Sequence, residues 1–178
     1  MTRRGFLALL GSVAAGAAAA GYAVRRWWVK SAGQPGTGTR ADAVFKARLP
    51  NLTGGTETLE PWRGHVLVVN FWATWCAPCR EEIPVFVRMQ RRYGARGLQF
   101  VGIAIDRREP VSAFQREYGM NYPVLLGNLE TMELMRSTGN RAGVLPYTLF
   151  IDRRGRLVHR KLGGIKEAEL ETLVAALL

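Results

Sequence analysis

Val69-Asn70-Phe71-Trp72-Ala73-Thr74-Trp75-Cys76-Ala77-Pro78-Cys79-Arg80-Glu81-Glu82-Ile83-Pro84 is the stretch on which the fold turns. Its first part ends a continuous apolar run, residues 66–72, rich in β-branched side chains, as a buried central strand requires. Its second part opens a helical stretch, residues 77–93, which Pro84 must kink and residues 94–97 end. Cys76 therefore stands at the N-cap end of a helix. Free backbone N–H groups and the positive end of the helix dipole favour a thiolate there. Pro78 suits the first turn, where an N–H is spare. Cys79, one turn on, faces inward and reaches the first sulfur. Such a pair supports two-step exchange: the Cys76 thiolate attacks a partner disulfide and Cys79 resolves the mixed species.

Other uses of the spacing fit less well. Haem attachment needs His directly after the second Cys, where Arg80 stands. A peroxidatic Cys of the peroxiredoxin type follows a Thr by three residues, and Thr74 is two before Cys76. Soft thiolates suit Cu(I), but neither His65 nor His159 is near the pair in sequence. Two Cys and two His cannot close a zinc site at these spacings, so no metal and no cofactor is implied. A static disulfide across a four-residue ring is a poor staple, because so short a loop removes little entropy.

Outward from the motif, residues 98–105 read as a second buried strand and 110–118 as a helix. Residues 122–126 form a short strand and 130–137 a helix. The core face of that helix is either Leu129, Met132 and Met135 or Met132, Leu134 and Met135. Residues 147–151 and 156–162 are strands joined by the turn Asp152-Arg153-Arg154-Gly155, and 167–178 is a closing amphipathic helix. The order implies an α/β sandwich whose mixed sheet has an antiparallel hairpin at one end. Gly143-Val144-Leu145-Pro146 precedes one of those strands, where a Pro by itself is an ordinary feature.

The chain has 178 residues and a formal charge of +11, with 25 Lys+Arg against 14 Asp+Glu. Six of the basic residues and none of the acidic ones fall in residues 1–40. The excess is thus as much a property of the leader as of the domain, which weakens a nucleic-acid reading. Residues 1–30 read as targeting: Arg3 and Arg4 precede an uncharged run, Phe6 to Val24, just long enough to cross a bilayer. The Thr-Arg-Arg-x-Phe-Leu start is similar to a twin-arginine export signal. Small residues offer cleavage points. The basic and aromatic cluster of Arg25, Arg26, Trp27, Trp28 and Lys30 favours a retained anchor instead. Residues 31–42 read as a flexible tether with a span of about 20 Å, and 43–178 as the folded domain.

With the motif and the later Pro in hand, the sequence resembles the thioredoxin superfamily, and within it the TlpA-like membrane-tethered thiol–disulfide oxidoreductases. The resemblance covers roughly residues 49–178 and rests on residues 69–84, on Gly-Val-Leu-Pro at 143–146 and on Phe-Ile-Asp-Arg-Arg-Gly-Arg-Leu at 150–157. It implies a thioredoxin-like three-layer sandwich, with a mixed central sheet flanked by helices and an N-terminal β-hairpin extension within residues 43–62. It further implies Cys76 as nucleophile, Cys79 as resolving thiol and Pro146 as a cis-proline facing them. Leu145 would pair by its backbone with an extended substrate segment, and Trp75, Ala77 and Pro78 would shape the rim. The implied partners are protein disulfides, such as those of cytochrome c apoproteins or copper-site assembly proteins, and a membrane thiol-electron donor. The implied place is the periplasmic side of a bacterial inner membrane. A disulfide donor and a Cu(I)-binding module stand as alternatives. One departure matters. Thioredoxin itself has a buried Asp where this chain has Asn70, and Asn cannot take a proton, so the base that activates Cys79 is not identified from the sequence.

Overall fold

The computed structural model describes residues 39–178; the leader, nearly all of the tether and the expectations attached to them lie outside the described residues. In chain order the elements are β1 (Thr39–Arg40), α1 (Asp42–Lys46), β2 (Leu49–Pro50), β3 (Thr56–Glu57), a 3-10 turn (Glu60–Trp62) and β4 (Val66–Trp72). There follow α2 (Ala77–Tyr93), β5 (Leu98–Ala104), α3 (Arg108–Glu117), β6 (Val124–Leu126), α4 (Leu129–Ser137), β7 (Tyr147–Ile151), β8 (Arg156–Leu162) and α5 (Glu167–Leu177).

All seven residues of β4 are buried, as expected of a strand covered on both faces. It pairs in parallel with β5 (Val69 opposite Val101) and antiparallel with β7 (Val69 opposite Leu149), and the six-stranded order is β1-β8-β7-β4-β5-β6. Alternation along β4 divides the core. Val66, Val68, Asn70 and Trp72 share the face covered by α2, α3 and α5, where Ile83, Phe86, Val111, Phe114, Leu170 and Val174 pack. Leu67, Val69 and Phe71 share the other face with Val44, Phe45, Leu134 and Met135 of α1 and α4. The parallel crossovers β4–α2–β5 and β5–α3–β6 run the same way across the sheet, so one handedness puts α2 and α3 on the same face. α4 joins β6 to the antiparallel strand β7 and packs on the other face. The thioredoxin-like sandwich is thus realised.

Several boundaries differ from expectation for local reasons. Thr39 and Arg40, within the stretch read as tether, pair with Leu157 and Arg156, and Ala41 N–H donates to Gly155 O at 2.9 Å. The free edge of β8 recruits them, a signal that composition does not carry. Asp42–Lys46 is a helix that buries Val44 and Phe45, so the hairpin is confined to Leu49–Pro50 and Thr56–Glu57. β6 starts at Val124 because Pro123 has no N–H for the ladder, although its carbonyl accepts from Gly102 N–H at 2.9 Å. On α4 the second core face is the one used. Leu134 and Met135 are buried, while Leu129 is 91% exposed. α2 runs through Pro84 to Tyr93 without ending.

Candidate active site

Antiparallel pairing of β4 with β7 sets Phe71 opposite Tyr147. The loop that leaves β4, residues 73–76, and the loop that enters β7, residues 143–146, therefore lie at the same end of the sheet. That end also holds the C-terminal ends of the parallel strands, the usual place for an α/β site. Asp106, just past β5, ties the first loop down. It accepts from Thr74 N–H at 3.2 Å and from the Thr74 hydroxyl, and also from Arg107 N–H at 2.7 Å. Burial works against its charge, yet these hydrogen bonds hold its carboxyl below the usual range. Gly163 N–H donates to Pro146 O at 2.8 Å, and a Cβ built on Gly164 would meet Pro78 Cβ at 3.7 Å. The loop after β8 thus borders both the second loop and the cysteine motif.

Cys76 is the N-cap of α2, with extended backbone, and its carbonyl accepts the first helical bond from Arg80 N–H at 3.2 Å. Cys76 and Cys79 are joined in a disulfide, with Cα atoms 5.3 Å apart. Their surroundings differ: Cys79 is wholly buried, whereas Cys76 keeps a small exposed fraction. Trp75 is 70% exposed, Ala77 and Pro78 are exposed, and Leu145 is half-buried. The Leu145–Pro146 peptide is cis. Val144 and Leu162 add exposed apolar surface at this end. All seven residues singled out in the sequence therefore meet at one end of the sheet.

One residue of the site was not singled out. Glu82, one turn beyond Cys79 on α2, is only 2% exposed. Its Oε1 accepts from Asn70 Nδ2 at 2.8 Å and its Oε2 from Ile165 N–H at 3.0 Å. The second Asn70 hydrogen goes to Thr148 Oγ1 at 2.9 Å. Burial pushes the Glu82 carboxyl up to about 7; the Ile165 amide, Asn70 and the positive charge of Lys161 oppose that rise. Tyr122 is buried nearby, and burial together with the Glu82 charge raises its phenol further above the ordinary value. The available signal was helical spacing: Cys79, Ile83 and Phe86 mark the buried stripe of α2, and Glu82 falls inside it. Asn70 is therefore the holder of an acid rather than a replacement for one.

The Redoxin family profile matches residues 37–177. The chain belongs to the Redoxin family. The thiol-disulfide oxidoreductase ResA of Bacillus thuringiensis (strain Al Hakam) is 28% identical over 122 residues, which cover 68% of each chain. ResA of Geobacillus kaustophilus is 25% identical over 124 residues, covering 69% of each. Among solved structures, a thioredoxin-family thiol:disulfide interchange protein of Chlorobium tepidum TLS superposes with a TM-score of 0.71 at 28% identity. That match covers 80% of this chain and 97% of the other. A secreted disulfide oxidoreductase of Mycobacterium tuberculosis, 23% identical, shares the fold with a TM-score of 0.64 over 77% of this chain and 100% of its own. Fold, family and Cys-x-x-Cys pair together make this Redoxin-family chain a thiol–disulfide oxidoreductase of the thioredoxin superfamily, TlpA-like in type.

Proposed function

We propose that the enzyme reduces disulfides of partner proteins outside the cytoplasm, held at the periplasmic face of the inner membrane by residues 1–30. The observation that carries the chemistry is the buried carboxyl of Glu82 one turn behind the sealed sulfur of Cys79. In the reduced enzyme the Cys76 thiolate, at the helix N-terminus, attacks one sulfur of the substrate disulfide and expels the other as thiolate. The Cys79 thiol then gives its proton to Glu82 and attacks Cys76 Sγ. The second substrate thiolate leaves and the Cys76–Cys79 disulfide forms. Two electrons pass from enzyme to substrate, and a membrane thiol donor restores the dithiol. Glu82 suits this step because a carboxyl held near 7 is ionised often enough to accept a proton at neutral pH. The exposed Trp75, Ala77 and Pro78 and the half-buried Leu145 form the rim on which an extended substrate segment lies, its backbone against Leu145.

What supports the location is the leader, with its paired arginines and apolar run, and the secreted nature of one solved relative. No helix among the described residues is long and apolar enough to cross a membrane, so the tether reading rests on residues 1–30 alone. Cytochrome c apoproteins and copper-site assembly proteins are the substrate classes in view. Two measurements test the proposal. Cys76→Ser abolishes reduction of a model disulfide while Cys79→Ser accumulates a mixed disulfide; full activity in Cys76→Ser ends this reading. The equilibrium potential sets the direction: about −270 mV or lower fits a reductant, whereas a value near about −120 mV makes the enzyme an oxidant.

A further inference from the structure

Behind Glu82 the polar network runs on past the groups that exchange sulfur. Thr148, which accepts from Asn70, stands directly opposite Lys161 in the β7–β8 ladder. Opposite residues of an antiparallel pair project to the same face, so Lys161 lies on the face that carries Asn70 and Glu82. It is two strand spacings from the Asn70 column, roughly 10 Å. Its Nζ donates to both carboxylate oxygens of Glu169 on α5, at 2.8 and 2.9 Å. The two side chains are 28% and 41% exposed, so the pair sits where the core meets water.

Among the described residues, few groups face Glu82. Asn70 from β4 and the Ile165 amide donate to it, the Tyr122 phenol stays neutral, and Cys79 lies one turn back on its own helix. The positive charge among the influences on Glu82 is that of Lys161. On the far side Lys161 faces Glu169 and the half-buried His159, whose imidazole is held below its usual value by burial and so stays neutral.

We propose that Lys161, oriented by Glu169, is a positioning residue for the exchange reaction. Its ammonium supplies the counter-charge that lets Glu82 remain ionised and take the Cys79 proton near neutral pH. The proposal rests on Glu82 being that acceptor. Glu169 sets the strength of the effect, because its own negative charge partly cancels that of Lys161. The two substitutions therefore act in opposite directions, which a loss of packing does not produce.

The test is the pH profile of the resolving step in the full chain. It is followed as release of a chromogenic thiol from the mixed disulfide at Cys76, for the wild type, Lys161→Gln, Lys161→Arg, Glu169→Gln and Glu82→Gln. Lys161→Gln moves the acid limb to higher pH by roughly 0.3 to 1.2 units, the range for a unit charge at about 10 Å between water-like and surface-like screening. Lys161→Arg restores the wild-type limb, and Glu169→Gln moves it to lower pH. Lower rates with an unmoved limb, or shifts of the same sign in Lys161→Gln and Glu169→Gln, overturn the proposal. The Glu82→Gln profile separates the two levels. If its limb persists, the acceptor assignment falls and this proposal falls with it. If the limb vanishes there yet stays fixed in Lys161→Gln, only the role of Lys161 falls.

Discussion

Glu82→Gln alters the protein by one proton site and one hydrogen-bond acceptor, and the two effects separate with pH. In the folded protein the Glu82 carboxyl keeps its proton up to about 7, and in the unfolded chain only to its ordinary value of 4.5. Between those values the folded state binds the extra proton, so stability falls as pH rises. The stabilisation is fully present below 4.5 and is lost as pH passes through about 7. The difference corresponds to on the order of 3 kcal/mol. Gln has no such proton, so the variant lacks this slope. Gln also has one carbonyl oxygen where two donors converge, Asn70 Nδ2 and the Ile165 amide. One donor then faces an NH2 group, at about 1–3 kcal/mol. The variant is therefore the less stable protein in acid, and matches or exceeds the wild type near about pH 8. Denaturant unfolding of the oxidised proteins across this range reads the difference directly. Carboxylates held low, such as Asp106 and Asp152, contribute equally to both proteins and cancel. A difference between wild type and variant that stays flat with pH refutes the buried-acid reasoning.

Two further substitutions probe the packing around the site. A Cβ at Gly102 would lie 2.9 Å from Trp72 Nε1, and Trp72 is wholly buried against Phe114. Gly102→Ala should therefore cost about 1–3 kcal/mol in chemical denaturation, and a loss under about 0.5 kcal/mol means that the indole can retreat. Arg88→Ala removes an ion pair to Glu167 whose side chains are 54% and 49% exposed. The expected change is at most about 0.5 kcal/mol, and a loss above about 2 kcal/mol contradicts the solvent-screened view of the α2–α5 surface.

Much of the architecture was legible because it is written in short-range pattern. The apolar run at 66–72, the helical spacing of 77–93 and the turn at 152–155 each depend on neighbours within a few residues, and each appears where the pattern put it. The same holds for the cysteines, since a helix N-terminus directly after a strand is a local arrangement. Leu129 shows the limit. Helical spacing offered it to the core as readily as Leu134, and only the approach of the sheet decided between them. Thr39 and Arg40 show it again, because pairing with β8 depends on a vacant edge more than a hundred residues away.

The chain alone determined that two thiols sit one turn apart at the start of a helix, which is the chemistry of exchange. The tertiary structure decided the state of the acid behind them. Glu82 is an acid in sequence, but Ile165 reaches it across 83 positions and Asn70 across 12. A carboxyl becomes a base poised near neutrality only when the folded chain has stripped it of water and aimed two donors at it. No pattern of neighbours in the chain records that environment, because other elements of the fold create it.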